Sequence, residues 1–197
     1  MKPMLPIYAA AALALSASTA LATDTALYPE APPADASFVR FAGFGEDASA
    51  VFAGKTFDLK SEERLAYIPV SSAALEGVDP GAYITVARDG DGGQKAIAED
   101  PRAAASKVSL FLVNATHKRL ELKLADGSVT VIDTVEPMSS GLRAVNPVAI
   151  SLGVFGEDGD APLATYEVSL HRGQNLTFLA EPSGVRLVEN RFGAVAK

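Results

Sequence analysis

The sequence has no cysteine and no tryptophan, and two of its 197 residues are histidine. The lack of cysteine excludes disulfide bonds, thiol catalysis, cysteine-ligated zinc and a lipid anchor on cysteine, so stability has to come from the core alone. Aromatic residues make up 7% of the chain. With few rings to stack on a sugar polymer, a carbohydrate-binding module is disfavoured.

Long apolar runs are also scarce, and the one candidate lies at the N-terminus. Lys2 precedes an Ala- and Leu-rich stretch over residues 7–21, with small residues at Ala20 and Ala22. This pattern is typical of a signal peptide cleaved after Ala22, and the stretch is shorter than the roughly 20 residues of a membrane span. We therefore expect residues 1–22 to be a signal peptide and the mature chain to be a Gram-negative periplasmic protein without membrane insertion.

Positive charge is in deficit as well. The chain has 17 basic and 24 acidic residues, and removing Lys2 with the signal peptide leaves 16 − 24 = −8. Nucleic-acid binding depends on clustered Lys and Arg, so we expect no nucleic-acid partner. The same sign disfavours electrostatic capture of a polyuronate.

What the chain does have is the alternation of apolar and polar residues that predicts β-strands. Val108, Leu110 and Leu112 share one face, and Asp126-Gly127 lies where a two-residue hairpin turn belongs. Helical periodicity is absent from this part of the sequence. In the second half, strand-like runs cover residues 119–133, 147–155, 164–170 and 176–179, and in the first half they cover residues 37–42, 49–53, 56–59, 66–70 and 82–88.

The two halves align with each other. Residues 37–41 match 109–113, the turn at 53–55 matches 125–127, and 79–84 match 146–150. This predicts an all-β protein of two tandem, small antiparallel β-sandwich domains, immunoglobulin- or fibronectin-like, after the signal peptide. One continuous sandwich is the alternative. The expected order is a Pro-rich extended arm at 23–36, domain 1 at 37–98, a linker at 99–106, domain 2 at 107–191 and a C-terminal tail at 192–197.

Several short motifs resemble a known family, the periplasmic alginate O-acetylation proteins of the AlgF type. The matching motifs are Leu27-Tyr28, Phe38-Val39-Arg40, Asn114-Ala115-Thr116, Leu122 to Gly127 and Val145-Asn146-Pro147-Val148. The resemblance implies a part in O-acetylation of an exported polysaccharide, with alginate as the expected polymer. Its implied partners are periplasmic SGNH-like acetyltransferases and a membrane-bound O-acyltransferase of the same pathway.

Catalytic patterns are missing from the residues. A Ser/His/Asp triad needs a base, and His117 and His171 both lie in loop-like positions without a signalled nucleophile. There is no Gly-x-Ser-x-Gly elbow, and Asp126-Gly127-Ser128 reads as a hairpin turn. We therefore predict no catalytic residue, no cofactor and no enzyme, although an esterase or acyl carrier that uses a lone Ser is a rival hypothesis.

Acidic loops raise the question of calcium. Asp89, Asp91 and Asp100 lack the Gly and the long Glu at the spacing of a calcium-binding loop, and the turn over residues 157–160 reads as a solvated loop. No metal site is predicted.

Six residues are candidates for contact with a partner protein. Leu27, Tyr28 and Pro29 belong to the arm, which can dock on its own sandwich or on a partner. Arg40 lies within the first strand, where we expect either an exposed strand residue or a partner contact. Arg143 and Asn146 precede a strand, where a turn-shaping role is the alternative.

The sequence thus predicts a non-catalytic adaptor that bridges membrane acyl export and the periplasmic acetyltransferases. Two other functions stay open, a carbohydrate-binding module that acts on the exported polymer and a subunit of an acetylated-cellulose system.

Overall fold

The computed structural model describes residues 30–45, 47, 49–59, 65–89, 91–102, 105–157 and 159–196. The predicted signal peptide and most of the Pro-rich arm, including Leu27, Tyr28 and Pro29, lie outside these residues. Within them the chain forms fourteen strands and one short 3₁₀ turn. No helix among the described residues is long and apolar enough to cross a membrane.

The first unit is built from six strands. A four-stranded sheet has the order β4-β1-β5-β6, and β2 and β3 pair separately as a hairpin that packs on it. The elements are β1 (Ala36–Ala42), β2 (Ser49–Phe52), β3 (Lys55–Asp58), β4 (Ile68–Ser71), the 3₁₀ turn (Ser72–Ala74), β5 (Tyr83–Arg88) and β6 (Gln94–Glu99). Val39, Phe41 and Val86 share the sheet face that buries Phe57 of the hairpin, because alternate residues of a strand share a face.

The β2–β3 hairpin turns through two residues. Ala53 has φ 48° and Gly54 has φ 80°, so both lie in the left-handed region that a type I′ turn requires. Glycine suits this region and alanine does not, because Cβ crowds the backbone there.

The second unit has eight strands in two four-stranded sheets. One sheet has the order β10-β7-β13-β14 and the other β12-β11-β8-β9. The strands are β7 (Val108–Asn114), β8 (Leu120–Leu124), β9 (Thr130–Val135), β10 (Ser139–Val145), β11 (Ala149–Gly156), β12 (Pro162–Ser169), β13 (Asn175–Glu181) and β14 (Gly184–Glu189). The core between the sheets is apolar, with Leu112, Leu122, Leu152 and Phe178 each at 0% exposure.

The fold class is confirmed: the described chain is all-β and forms two sandwich-like units. Each unit nevertheless contains one parallel pair, β1 with β5 and β7 with β13, which a hairpin-based prediction does not include. β1 and β7 hold equivalent places in the two units, as the internal alignment predicted. The alignment of 79–84 with 146–150 is wrong, because β5 corresponds in topology to β13 and not to β11.

Three strands were not predicted, namely β6, β10 and β14. Their sequences alternate weakly: β6 reads QKAIAE, and β10 begins with Ser139-Ser140-Gly141. Packing explains why glycine occupies position 141, since a Cβ there would lie 2.7 Å from the Ile132 Cγ2 atom. Ala36 and Glu99, placed in the arm and the linker, are the first residue of β1 and the last of β6.

The two units pack sheet against sheet along an interface that we call the seam. β7 is buried along its whole length because its even-numbered residues face the core of the second unit and Val113 faces the first unit. The apolar part of the seam contains Ala42, Ala87, Ile97, Val113, Ala115 and Leu179.

The C-terminal tail returns to the first unit. Tyr67 donates its backbone N–H to Arg191 O at 2.8 Å, and Gly193 and Ala196 donate theirs to Tyr67 O and Pro69 O at 2.8 and 2.9 Å. The tail therefore lies parallel to β4 and covers the outer edge of that strand.

Candidate functional site

A buried polar cluster occupies the seam, with Arg40 at its centre. Arg40 lies in the middle of β1, on the face shared with Ala42, and is 0% exposed. Its Nε donates to Thr85 Oγ1 at 2.7 Å, and its Nη2 lies 3.2 and 3.1 Å from Glu99 Oε1 and Oε2. The first unit thus holds the guanidinium with a hydroxyl from β5 and a carboxylate from β6.

The second unit contacts the same guanidinium. Nη1 of Arg40 donates to Asn190 Oδ1 at 3.1 Å, and Nη2 donates to Thr177 Oγ1 at 3.2 Å. Thr177 Oγ1 in turn donates to Asn190 Oδ1 at 2.8 Å. These bonds cross the seam, so sliding one sheet against the other would leave a buried charge without part of its hydrogen-bond partners, which is costly.

Glu99 is the one carboxylate in the described part of this cluster. Besides Arg40, it accepts hydrogen bonds from Thr85 Oγ1 and from the Tyr67 hydroxyl, each at 2.6 Å. Burial raises the pKa of Tyr67 well above its ordinary value; the Glu99 carboxylate adds to the shift, while the charges of Arg40 and Arg102 oppose it. Tyr67 therefore stays protonated and donates to Glu99.

A second arginine lies beside the first. The Arg102 guanidinium carbon is 3.7 Å from the centroid of the Tyr83 ring, 4.5 Å from Phe111 and 4.7 Å from Tyr67. Its Nη1 is 3.9 Å from Glu99 Oε2, beyond hydrogen-bond distance, and both terminal nitrogens are buried without an acceptor among the described residues. Among the described residues, the cluster thus contains two guanidiniums and one carboxylate, and the aromatic faces offset part of the excess positive charge.

This geometry corrects one expectation about Arg40. An exposed strand residue was one of two expectations, but its side chain is fully buried because the second unit covers the sheet face that a single sandwich would leave in water. The cluster has no exposed surface at Arg40 or Glu99, where both side chains are 0% exposed. The cluster therefore holds the two sheets together and presents no reactive group to solvent at these two residues.

The sequence patterns identified Arg40 but none of the other residues of this cluster. Tyr67, Thr85, Glu99, Arg102, Thr177 and Asn190 lie on five different segments, and Asn190 is 150 residues from Arg40. One signal was available: Arg40 is a lone charge within the otherwise apolar run Phe38–Ala42, a pattern that favours a buried, paired cation.

The remaining partner-contact candidates lie elsewhere. Arg143 is exposed on β10, and Asn146 is exposed and accepts a hydrogen bond from Lys107 Nζ at 2.7 Å. The structure does not bring these two residues together with Arg40. Leu27, Tyr28 and Pro29 lie outside the described residues, so the predicted role of the arm stays a prediction.

Both histidines are exposed. His117 lines two surface grooves, of about 590 and 390 Å³, that flank Leu163, a leucine at 59% exposure on the edge strand β12. In the larger groove Arg119 forms ion pairs with Glu136 and Glu157 at 3.0 and 3.1 Å. Across the described residues, no group of three His, Asp or Glu side chains is arranged to hold a metal ion.

The sequence is similar to that of one family of known proteins. Residues 10–177 match the family model described as Alginate O-acetyl transferase AlgF. Curated proteins called alginate biosynthesis protein AlgF are similar along most of their length. The one from Pseudomonas aeruginosa is 30% identical over 191 residues, covering 90% of this chain and 88% of the relative.

Two further relatives carry the same name. The Pseudomonas syringae pv. tomato protein is 28% identical, covering 90% of this chain and 85% of its own length, and the Azotobacter vinelandii protein is 29% identical, covering 78% and 76%. A solved structure of the C-terminal domain of AlgF from P. aeruginosa is 28% identical and covers 43% of this chain and 96% of that domain, with a TM-score of 0.37.

Proposed function

Because the chain belongs to the AlgF family, which is involved in alginate O-acetylation, we propose that it acts there as a non-catalytic adaptor in the periplasm. In this role it bridges a membrane-bound O-acyltransferase and the SGNH-like acetyltransferases that modify the polymer. The partners carry out acyl transfer, and this chain supplies binding surface and spacing.

The observation that carries the proposal is the seam. The most extensive polar cluster of the described chain, around Arg40 and Glu99, is buried between the sheets and joins the two units. An adaptor benefits from such a joint, because a rigid spacer loses less conformational entropy when it binds two partners than a flexible one.

The surface supplies further support. Leu163 is exposed between two grooves, and β12 pairs with β11 but is otherwise the edge of its sheet. Exposed sheet edges and apolar side chains beside grooves are features that protein partners use. The one-sided ladder of β12 offers backbone donors and acceptors to an added strand.

The adaptor proposal is tested by separating binding from chemistry. The chain from Thr23 onward is expected to co-purify with the acetyltransferases of its own pathway, and to gain no acyl mass by intact mass spectrometry after incubation with an acyl donor. The matched control is the same chain with Leu163→Asp, which places a charge on the proposed surface without touching the core. An acyl adduct, or acetylation that proceeds at full extent in cells lacking the chain, would overturn the adaptor role.

A second function has one specific observation in its favour. The Phe192 side chain is 60% exposed, and its ring centroid lies 5.2 Å from that of Phe38. The Phe38 ring stacks in turn on Tyr83, with the centroids 4.6 Å apart. An exposed aromatic face is suited to stack on the apolar face of a sugar ring, and a uronate ring has such a face. Titration of mannuronate oligosaccharides into the chain and into Phe192→Ser tests it, and heat signals that are equal in the two chains would exclude this surface.

A further inference from the structure

The end of the second unit where β7 and β13 begin is basic, although the chain as a whole has more acidic than basic residues. Three segments meet there, namely residues 105–107 before β7, residues 146–148 between β10 and β11, and residues 170–174 between β12 and β13. Backbone hydrogen bonds join them. Gly173 N–H donates to Lys107 O at 2.9 Å, and Leu170 N–H donates to Val148 O at 3.0 Å. The three segments therefore form one continuous surface.

We call this surface the basic tip, and its exposed residues include Lys107, Asn146, Val148, His171 and Arg172. Lys107 Nζ donates to Asn146 Oδ1 at 2.7 Å, so the ammonium and the amide are held side by side. The amide nitrogen of Asn146 and the guanidinium of Arg172 are further hydrogen-bond donors. The tip therefore offers donors and positive charge to a ligand in solvent.

The segments that build the tip supply no acidic residue. Asp and Glu are absent from residues 105–107, 143–149 and 169–175. Among the described residues, Arg172 has no carboxylate partner, and neither does Arg143, which lies near the end of β10 on the same side of the unit. Every other described arginine has a carboxylate oxygen within 3.9 Å. The arginine charge that the described acidic residues leave unpaired is therefore concentrated at this end.

Two acidic residues at the same end are already engaged by local partners. Glu189 contacts Gln174 Nε2 at 3.4 Å and Arg191 Nη2 at 3.5 Å. Asp126 accepts hydrogen bonds from the hydroxyl and the backbone N–H of Ser128 at 2.6 and 2.9 Å. Neither carboxylate forms an ion pair with Lys107 or Arg172.

The composition of the tip decides between three kinds of anionic ligand. A lipid surface is disfavoured, because anionic lipids recruit clusters of about four to eight basic residues and the tip has Lys107 and Arg172 with Arg143 nearby. A sugar polymer is disfavoured, because the segments that build the tip contain no Phe, Tyr or Trp ring. An acidic protein surface fits, because Val148 is 47% exposed beside the charges and protein interfaces place apolar side chains within a polar rim.

We propose that the basic tip binds an acidic patch of a partner protein, with carboxylates paired to Lys107 and Arg172 and an apolar side chain packed on Val148. The identity of the occupant as a protein of the acetylation pathway rests on the adaptor function proposed above. Complementary charge of this kind speeds association and selects the partner.

The position of the tip suits a bridge between two partners. β12 begins at Pro162, next to the exposed Leu163 proposed above as a partner surface, and ends at Ser169, two residues before His171. At about 3.3 Å per residue, the two surfaces lie about 20 Å apart, at opposite ends of the second unit. One partner at each end leaves the other surface open.

Two peptides that differ only in charge test the chemistry of the tip. One has the sequence Asp-Glu-Leu-Glu-Asp with blocked ends, and the other replaces each acid by its amide. In NMR titrations of the isotope-labelled chain from Thr23 onward, the acidic peptide is expected to shift resonances of Lys107, Val148 and Arg172. At low ionic strength it is expected to bind about tenfold more tightly than its amide counterpart, as two exposed ion pairs imply. Added salt is expected to reduce this preference.

A matched pair of exposed variants locates the effect. Arg172→Glu and Lys95→Glu change the net charge equally, but Lys95 lies on β6 in the first unit. Arg172→Glu is expected to abolish the preference for the acidic peptide and Lys95→Glu to leave it unchanged, while Val148→Ser is expected to weaken both peptides alike. Equal affinity of the two peptides for the unaltered chain, equal losses in the two charge variants, or shifts confined to residues outside the tip would overturn the proposal.

Vesicles of phosphatidylcholine with phosphatidylglycerol, and mannuronate oligosaccharides, are titrated in parallel as the other anionic ligands. Neither is expected to shift the resonances of the tip. If either binds there more tightly than the acidic peptide and Arg172→Glu abolishes that binding, the tip recognises a lipid or a polymer and the proposal of a protein partner is wrong.

The peptide titration is independent of the adaptor test. A chain that fails to co-purify with acetyltransferases but prefers the acidic peptide at the tip refutes the proposed function and keeps the site. A chain that co-purifies but shows no such preference keeps the function and refutes the site. Where both succeed, Arg172→Glu is expected to lose at least one acetylation protein that Lys95→Glu retains, and identical co-purification by the two variants would overturn the proposal.

Discussion

The core of the second unit and the centre of the seam are equally buried, but the core consists of apolar side chains and the centre of the seam of charged and polar ones. Leu112, Leu122 and Phe178 are 0% exposed in a cluster with no charged member, while Arg40 and Glu99 are 0% exposed at the centre of the seam. The core needs only volume and apolar surface, which many side chains can supply. The seam needs particular donors and acceptors at fixed distances, so it specifies which sheet faces which.

The largest loss of stability is expected from removing the Glu99 carboxylate from the seam. Glu99→Met leaves the guanidiniums of Arg40 and Arg102 buried without an anion, and we expect it to lower the free energy of unfolding by about 3–5 kcal/mol. Urea unfolding of the chain from Thr23 onward, followed by circular dichroism, measures the change. A loss below about 1 kcal/mol would mean that water or a neighbouring group reaches the site.

The matching change in the apolar core is Leu122→Ala. Deleting a fully buried leucine costs the transfer free energy of the lost atoms and leaves a cavity, so we expect a loss of about 3 kcal/mol. If the seam couples the units, tryptic cleavage and circular dichroism will report one transition for both. Two separate transitions would show that the units unfold independently despite the seam.

A double-mutant cycle measures how strongly Arg40 and Glu99 interact with each other. Arg40→Met combined with Glu99→Met removes both partners, and we expect the double variant to be more stable than the sum of the single effects predicts by about 2 kcal/mol. The same cycle on Leu122 and Leu152 to Ala serves as the apolar control. Additive effects at Arg40 and Glu99 would contradict a direct ion pair.

Tyr67 gives the smallest expected effect and a distinct dependence on pH. Tyr67→Phe removes the 2.6 Å hydrogen bond to Glu99, and we expect a loss of about 1.5 kcal/mol at neutral pH. Because the pKa of Tyr67 is raised in the folded state, the unfolded chain releases its proton first. This contribution is complete below the ordinary tyrosine pKa and is lost as pH rises above it.

Stability measured from neutral to strongly alkaline pH tests this sign. The unaltered chain is expected to lose stability more steeply above the ordinary tyrosine pKa than Tyr67→Phe does. Parallel curves for the two chains would contradict a buried, protonated Tyr67.

Sequence reasoning reached the second unit more fully than the seam, and the reason is physical. β7, β8 and β11 bury one or both faces with apolar residues, so their sequences carry the period-two pattern directly. β6 and β10 include Lys95, Ser140 and Gly141, whose places are set by neighbouring strands rather than by their own hydrophobicity. Parallel pairing of β1 with β5 leaves no local mark, since the partners are joined by a long crossover.

The site was harder still. Arg40 could be recognised as a lone charge in an apolar strand, but its partners come from β5, β6 and β13 and from Asn190, which follows β14. No spacing in the sequence connects these positions.

The return of the C-terminal tail to β4 makes the first unit depend on a segment that follows the second unit in the chain. Residues 191–196 supply the pairing for a strand that precedes them in the chain by more than a hundred residues. Without this pairing, the outer edge of β4 is open to pairing with another chain. A chain that lacks residues 191–196 is therefore expected to expose a sheet edge that can pair with another copy.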